Sequence, residues 1–240
     1  LLKSSHPDYI REAYHLGMTR IFLPELDAAF ETTQNNPHHC YTVGEHLMHC
    51  MLYTESDKSM RIAALLHDIG KPVTRTTDEQ GIDHFHGHAG VGEEMAARIL
   101  RRLKFDNDTI THVRKLVKYH DYPIETTPRA VRRAINTIGE TYFSDVLAIK
   151  KADMMAQSTY QRQEKEDHLA QVEALYQQIL EQNQCVSLKS LALTGNDLIA
   201  LGIPKGKEIG IVLNELLEDV IAQPEHNNRE YLIQLVQKHA

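Results

Sequence analysis

The sequence predicts an all-α helical bundle followed by a small helical appendage, on three observations. Apolar residues recur at helical spacing along nearly the whole chain, and no segment shows the alternation expected of a half-buried strand. Helix-opening and helix-closing residues punctuate those runs at the right places, with Thr127-Pro128 and Gly139 the clearest pair. The composition is that of a compact chain: 240 residues, 42% hydrophobic and 25% charged, with only 12 Gly and 8 Pro. Such a length can bury a real core, and the residue usage argues against collagen, low-complexity disorder and a disulfide scaffold.

The elements follow in order. Short helices are expected over Asp8–Leu16 and Pro24–Phe30. Thr42–Tyr53 opens on Thr42-x-x-Glu45, the capping-box form, in which Thr42 serves the early amides and Glu45 reaches back. Met60–His67 is apolar enough to be buried. Ala89–Leu103 turns Val91, Met95, Ile99 and Leu103 to a core, and Asp106–Tyr119 does so with Ile110, Val113 and Val117. A helix runs from Thr127-Pro128 to Gly139, another over Thr141–Met155, and a long amphipathic one over Gln163–Gln182. The chain between Pro72 and His88 is polar and irregular, and is expected to loop over something. A boundary is placed near Cys185, giving a main domain over 1–185 and a helical tail over 186–240 with helices near Asn196–Leu201, Gly206–Ile221 and Asn227–Lys238.

The net charge of −7 argues against a protein that coats nucleic acid, while leaving room for a local phosphate site. No apolar run approaches the ~18–20 residues of a spanning helix, and no signal-peptide pattern opens the chain. Cys40, Cys50 and Cys185 are sparse and odd in number, which suits free thiols in a reducing cytoplasm. The chain opens at Leu1 rather than Met, as expected of a piece of something longer.

The strongest chemical signal is an order of His and Asp residues: His46, the adjacent pair His67-Asp68, His88, His120 and Asp153. Imidazoles with carboxylates suit divalent metals such as Mn, Fe, Co, Ni or Zn. Asp68 has two oxygens and can bridge two ions, with His46, His67 and Asp153 completing one and His88 and His120 the other. Two ions about 3.5–4 Å apart can polarise a phosphoryl oxygen and activate water for in-line attack. With 15 His, order alone would be weak. The pair His67-Asp68, however, follows a strongly apolar turn, where burying both groups without a partner is costly.

That order, with the pair inside Leu65-Leu66-His67-Asp68-Ile69-Gly70-Lys71, resembles the HD-domain metal-dependent phosphohydrolases. The resemblance implies an all-α HD-domain bundle with the metals among its central helices. His88 and His120, the ligands sometimes lost in single-metal members, are both present, which favours two ions. Gln34-Asn35-Asn36-Pro37-His38-His39-Cys40-Tyr41-Thr42-Val43-Gly44-Glu45-His46 and the tail from Leu193 to Gly210 resemble the HD-containing region of bacterial CCA-adding tRNA nucleotidyltransferases of the poly(A) polymerase family. The nucleotidyl-transferring head of that family needs a Gly-rich strand–turn with an Asp-x-Asp pair, and no such pattern occurs here.

Other residues have a functional reading beside a plain one. Lys71 would hold a substrate phosphate, or merely cap a helix end. Lys150 shares a helical face with Asp153 and could reach the same phosphate. His84 and His86 could position substrate, or belong to a polar loop. His38 or His39 could line the site. Arg129, Arg132 and Arg133 could meet a nucleotide, though a solvated helix face explains most of them. Gly202-Ile203-Pro204-Lys205-Gly206 joins two helices, and free amides there with Lys205, Gly206 and Lys207 could bind an RNA phosphate.

Three functions therefore stand open. The first is a two-metal phosphohydrolase in which Asp68 and Lys71 carry the chemistry; the resemblance implies 2′,3′-cyclic nucleotides and 2′-nucleotides as substrates. The second is a catalytically silent, tRNA-binding part of a CCA-adding enzyme. The third is a helical domain that a metal merely stabilises. The sequence does not choose among Mn, Ni, Co, Fe, Mg and Zn, and expects no membrane partner.

Overall fold

The structure is a computed structural model that describes residues 4–239. After a 3-10 turn at Pro7–Tyr9, the helices are α1 (Ile10–His15), α2 (Thr19–Phe22), α3 (Pro24–Glu31), α4 (Val43–Leu52), α5 (Lys58–Leu66) and α6 (Lys71–Thr74). A two-stranded hairpin, β1 (Thr76–Thr77) and β2 (Asp83–His84), precedes α7 (His88–Arg102), α8 (Asn107–Tyr119), α9 (Pro128–Ile138), α10 (Glu140–Ala156) and α11 (Arg162–Glu181). The chain ends in α12 (Gly195–Ala200), α13 (Lys207–Ala222), a 3-10 turn at Pro224–His226, and α14 (Arg229–His239). The all-α expectation holds. The chain forms two compact units, Leu1–Pro123 with Thr141–Leu169, and Ile124–Glu140 with Ala170–Ala240.

In the first unit, α5 is buried from Ser59 to Leu66, so it is a central helix rather than an amphipathic one. Leu47, Met48 and Met51 of α4, Ile99 and Leu100 of α7, Leu116 of α8 and Phe143 of α10 belong to its fully buried side chains. Helix ends are set by local chemistry. Asp57 accepts from the Met60 amide at 3.0 Å and Asp106 from the Thr109 amide at 2.8 Å, which starts α5 and α8. Thr42 starts α4 as expected, accepting from the Glu45 amide at 3.3 Å. The reciprocal half of that capping box does not form. Glu45 is held instead by Arg11, with Nε at 3.0 and 2.9 Å from its two oxygens. A charge-assisted pair outcompetes a single reach to a backbone amide.

The expected loop over 72–88 contains α6 and the hairpin, in which Thr76 faces His84 and Thr77 faces Asp83. Two residues per strand leave no alternation to read. What closes the hairpin is the fully buried Asp83 carboxylate, which accepts from the Asn35 amide at 2.8 Å, Thr77 Oγ1 at 2.7 Å and Arg75 Nε at 3.0 Å.

In the second unit, Leu198, Leu216, Leu217, Val220, Ile221 and Leu232 form a core of their own. α9 starts as expected on Thr127-Pro128 and stops at Gly139, whose φ of 105° no other residue type adopts readily. Arg132 is buried and serves structure. Its Nε donates to the Ile221 carbonyl at 2.8 Å and Nη2 to Ala222 at 3.3 Å, taking carbonyls left open at the end of α13. Arg133 pairs with Glu218, and Arg129 is exposed. Arg132 is thus occupied by the fold rather than held out to a nucleotide.

One close approach fixes the geometry of the first unit. A Cβ on Gly70 would lie 2.3 Å from the His88 carbonyl oxygen and 2.8 Å from the Gly92 amide nitrogen. Only glycine lets the turn after α5 touch the first turn of α7. Gly70→Ala should therefore cost roughly 1–3 kcal/mol of stability, at about 2–4 °C of melting temperature per kcal/mol. A thermal melt equal to wild type would contradict this packing argument.

Candidate metal centre

The six residues singled out by their order converge within the first unit. His46 projects from the middle of α4, His67 is the C-cap of α5, and Asp68 lies in the turn that follows. His88 is the first residue of α7, His120 the C-cap of α8, and Asp153 sits on α10. His46, His67, Asp68 and His120 are buried.

Asp68 divides the cluster in two. Its Oδ2 lies 3.5 Å from His46 Nε2 and 3.4 Å from His67 Nε2. Its Oδ1 lies 3.3 Å from His88 Nε2 and 3.5 Å from His120 Nε2. Within each half the ring nitrogens face each other, His46 and His67 at 3.2 Å and His88 and His120 at 3.3 Å. Asp153 Oδ1 joins the first half, 2.9 Å from His46 Nε2 and 3.7 Å from His67 Nε2. The groups His46–His67–Asp68 and Asp68–His88–His120 each bring their donor atoms within 4.8 Å of one another.

The backbone fixes which nitrogens point inward. His67 Nδ1 donates to the Ala64 carbonyl at 2.9 Å, His88 Nδ1 to Phe85 at 2.9 Å and His120 Nδ1 to Val117 at 2.8 Å. A carbonyl can only accept, so the proton of each neutral ring sits on Nδ1 and the Nε2 lone pair faces the cluster. Asp68 Oδ1 is buried without a hydrogen-bond partner. Converging lone pairs, and an orphaned carboxylate oxygen among them, call for a cation. Imidazole nitrogen with carboxylate oxygen is the donor set of a divalent transition metal, and outer hydrogen bonds to backbone carbonyls are what such ligands carry. The residues fit the group.

The electrostatics agree. Burial works against charge on His67, but the Asp68 carboxylate, with Cys50 and Asp153, outweighs it and holds its pKa well above the ordinary value. His88 is raised as well, burial again opposing and Asp68 prevailing. Burial likewise opposes ionisation of Asp68, yet Lys71 and His67 hold its carboxyl well below the usual range.

Lys71 is neither solvated nor a simple cap. It is 5% exposed, and its Nζ lies 2.7 Å from Asp68 Oδ2 and donates to Gln34 Oε1 at 2.8 Å. It also approaches His39 Nε2 at 3.4 Å, and burial beside Lys71 presses the His39 pKa down to about 3. Lys150 lines a cavity of about 360 Å³ with His120, Asp121, Asp153 and Lys165. Burial lowers its pKa, with Asp121 and Asp153 opposing. His84 pairs with Asp78 at 2.8 Å and stacks on His86. Lys205, Gly206 and Lys207 are exposed at the start of α13 in the second unit, where Gly206 has a φ of 143°.

Sequence reasoning missed Gln34, Gln157 and Lys165, and left His39 undecided. Gln34 and His39 lie in the segment already singled out, but nothing in their spacing shows that Lys71 gathers them. Gln157 follows Asp153 by one helical turn, a spacing that could have found it.

The family described as tRNA nucleotidyltransferase domain 2, putative, matches residues 73–236. The chain is 31% identical over 216 residues to the CC-adding tRNA nucleotidyltransferase of Thermus thermophilus, covering 87% of this chain and 48% of that protein. It is 31% identical over 209 residues to the A-adding tRNA nucleotidyltransferase of Deinococcus radiodurans, covering 85% and 48%. A bifunctional uridylyltransferase/uridylyl-removing enzyme of Cereibacter sphaeroides is 28% identical over 143 residues, covering 50% and 14%. The chain spans about half the length of the two tRNA nucleotidyltransferases it matches. No helix among the described residues is long and apolar enough to cross a membrane.

Because the Asp68 carboxylate favours the protonated forms of His67 and His88 and only neutral imidazole ligates, metal uptake should displace protons from them. Calorimetric titration of the metal-stripped protein with Mn, Co, Ni or Zn, in buffers of different ionisation enthalpy, should show net proton release. Apparent affinity should rise with pH. Binding that is indifferent to pH and buffer would contradict the assignment of these rings as ligands.

Proposed function

Because this chain belongs to the tRNA nucleotidyltransferase domain 2 family, we propose that it engages tRNA as a helical body of a nucleotidyltransferase-type protein. The observation that carries this reading is the family match over residues 73–236, which takes in nearly all of the second unit and about half of the first. The substrate named by the two tRNA nucleotidyltransferases supports it. So does the exposed start of α13, where Lys205 and Lys207 flank Gly206 and offer free amides and cations to a phosphate. Fluorescence anisotropy with a labelled tRNA should show affinity that falls linearly on a log–log salt plot. Lys205→Glu with Lys207→Glu should weaken binding and reduce the salt slope by about 2. No tRNA binding at low salt would overturn the reading.

A second activity rests on a different observation, the division of the Asp68 oxygens between two histidine pairs. The centre is of HD type, takes two divalent ions and hydrolyses a phosphomonoester or nucleotide phosphodiester, with 2′,3′-cyclic nucleotides and 2′-nucleotides as candidate substrates. Bound ions would supply Lewis acidity toward a phosphoryl oxygen and lower the pKa of water. The protein's part is to hold the reactants. Lys71 on Oδ2 keeps the Asp68 carboxylate ionised, and its unpartnered Oδ1 would be available to hold an ion with His88 and His120. Lys150, in the wall of the cavity beside His120 and Asp153, receives the phosphate, whose negative charge offsets the burial of its ammonium. The uridylyl-removing half of the Cereibacter relative's name is consistent with such a site.

The metal-stripped protein, resupplied in turn with Mn, Ni, Co, Mg and Zn, should hydrolyse 2′,3′-cyclic AMP or 2′-AMP. Asp68→Ala should lose both turnover and tight metal binding. Full turnover in Asp68→Ala, or none in wild type with any metal despite tight binding, would reject the hydrolase reading and leave tRNA engagement standing.

A further inference from the structure

Asp153 is the one carboxylate ligand outside the turn that carries Asp68, and it comes from a helix with no other ligand. Its orientation has an identifiable cause. Gln157, one turn further along, places its Nε2 3.1 Å from both Asp153 oxygens. The other end of that carboxamide is also occupied: Lys165 Nζ donates to Gln157 Oε1 at 2.8 Å. Lysine can only donate and an ionised carboxylate can only accept, so the amide has a single allowed orientation. The residue itself is pinned, because Arg162 Nη2 donates to the Gln157 carbonyl at 2.7 Å. The next amide, that of Ser158, donates to the His38 carbonyl at 3.0 Å. Lys165 Nζ also lies 3.1 Å from His38 Nδ1. All these groups lie within the first unit.

We infer that Gln157, locked by Lys165, is a positioning residue that holds the Asp153 carboxylate toward His46 and His67 for a divalent cation. A carboxylate left to itself turns about its last bond, and each orientation lost on binding weakens the site. Here the turn is stopped before any ion arrives, by a donor that faces both oxygens. Partners outside the ligand set fix ligand direction in this way, and their removal typically costs about 10–100-fold in metal affinity. The inference rests on the reading of the cluster as a metal centre.

The test uses cobalt(II), which reports both affinity, by calorimetry, and ligand geometry, by its visible absorption. Gln157→Leu should weaken cobalt binding about 10–100-fold and change the visible band, while the metal-free protein melts as wild type does. Lys165→Met leaves the amide present but free to flip, and should give a smaller loss. Lys165→Arg keeps a donor and should retain wild-type affinity. Gln157→Leu with wild-type affinity and spectrum would overturn the inference, as would a lowered melting temperature with cobalt binding intact. Should Gln157→Leu fail to fold, wild-type cobalt affinity in Lys165→Met overturns it instead. Wild-type protein that binds no cobalt would overturn the metal-centre reading itself, which separates the two failures.

Discussion

A buried carboxylate between two pairs of imidazoles is the constraint on which the first unit depends. Asp68 is 1% exposed, and an uncompensated charge there would cost several kcal/mol. The fold answers by bringing four helices to it. α4 and α8 deliver His46 and His120, α7 delivers His88, and the end of α5 delivers His67, with Lys71 following at the start of α6. Gly70 belongs to the same solution, since the turn can meet α7 only where no side chain intervenes. The apolar run of α5 then has a second purpose besides core formation. It sinks the His67-Asp68 pair deep enough that solvent cannot replace the designed partners.

The same hydrogen bonds that finish helices also orient the clustered histidines. The last carbonyls of an α-helix lack intrahelical partners. At the ends of α5 and α8 two of these carbonyls, on Ala64 and Val117, accept from the Nδ1 groups of His67 and His120. A structural need is met and a tautomer is set by one contact. Placing a histidine at a helix C-cap is therefore economical: the ring is oriented by groups the helix leaves open. His88 reaches the same state from the opposite end of a helix, through the Phe85 carbonyl in the turn before α7.

Much of this was legible in the sequence, and the reasons differ by residue. Helical periodicity found the long elements, and Thr127-Pro128 and Gly139 marked α9 because capping and proline rules act locally. The clustering of the His and Asp residues was legible because His67-Asp68 follows an apolar turn, where an isolated charge is implausible. Glu45 could not be read, since its partner Arg11 lies 34 residues away and wins by charge. The hairpin at Thr76–His84 was hidden because a single buried residue, Asp83, organises it through contacts with Asn35 and Arg75 rather than through any pattern. Arg132 read as surface because the helix carrying it is polar around it; its partners Ile221 and Ala222 are tertiary. Local rules were visible, and long-range pairing of single polar side chains was not.

Charge decides how the two proposed activities coexist in one chain. A formal charge of −7 gives no general attraction for a polyanion. Affinity for RNA or for a phosphate ester must then come from places where cations outnumber carboxylates locally. At the metal centre, Lys71 cannot supply that surplus, because it is spent on Asp68 at 2.7 Å. The proposed phosphate recognition there would then depend on metal together with Lys150 and Lys165, the two lysines of the cavity wall. At the start of α13 the attraction is permanent, because Lys205 and Lys207 are exposed and need no ion to be positive. Metal removal should therefore silence the proposed hydrolysis while sparing the salt-dependent part of the proposed tRNA binding.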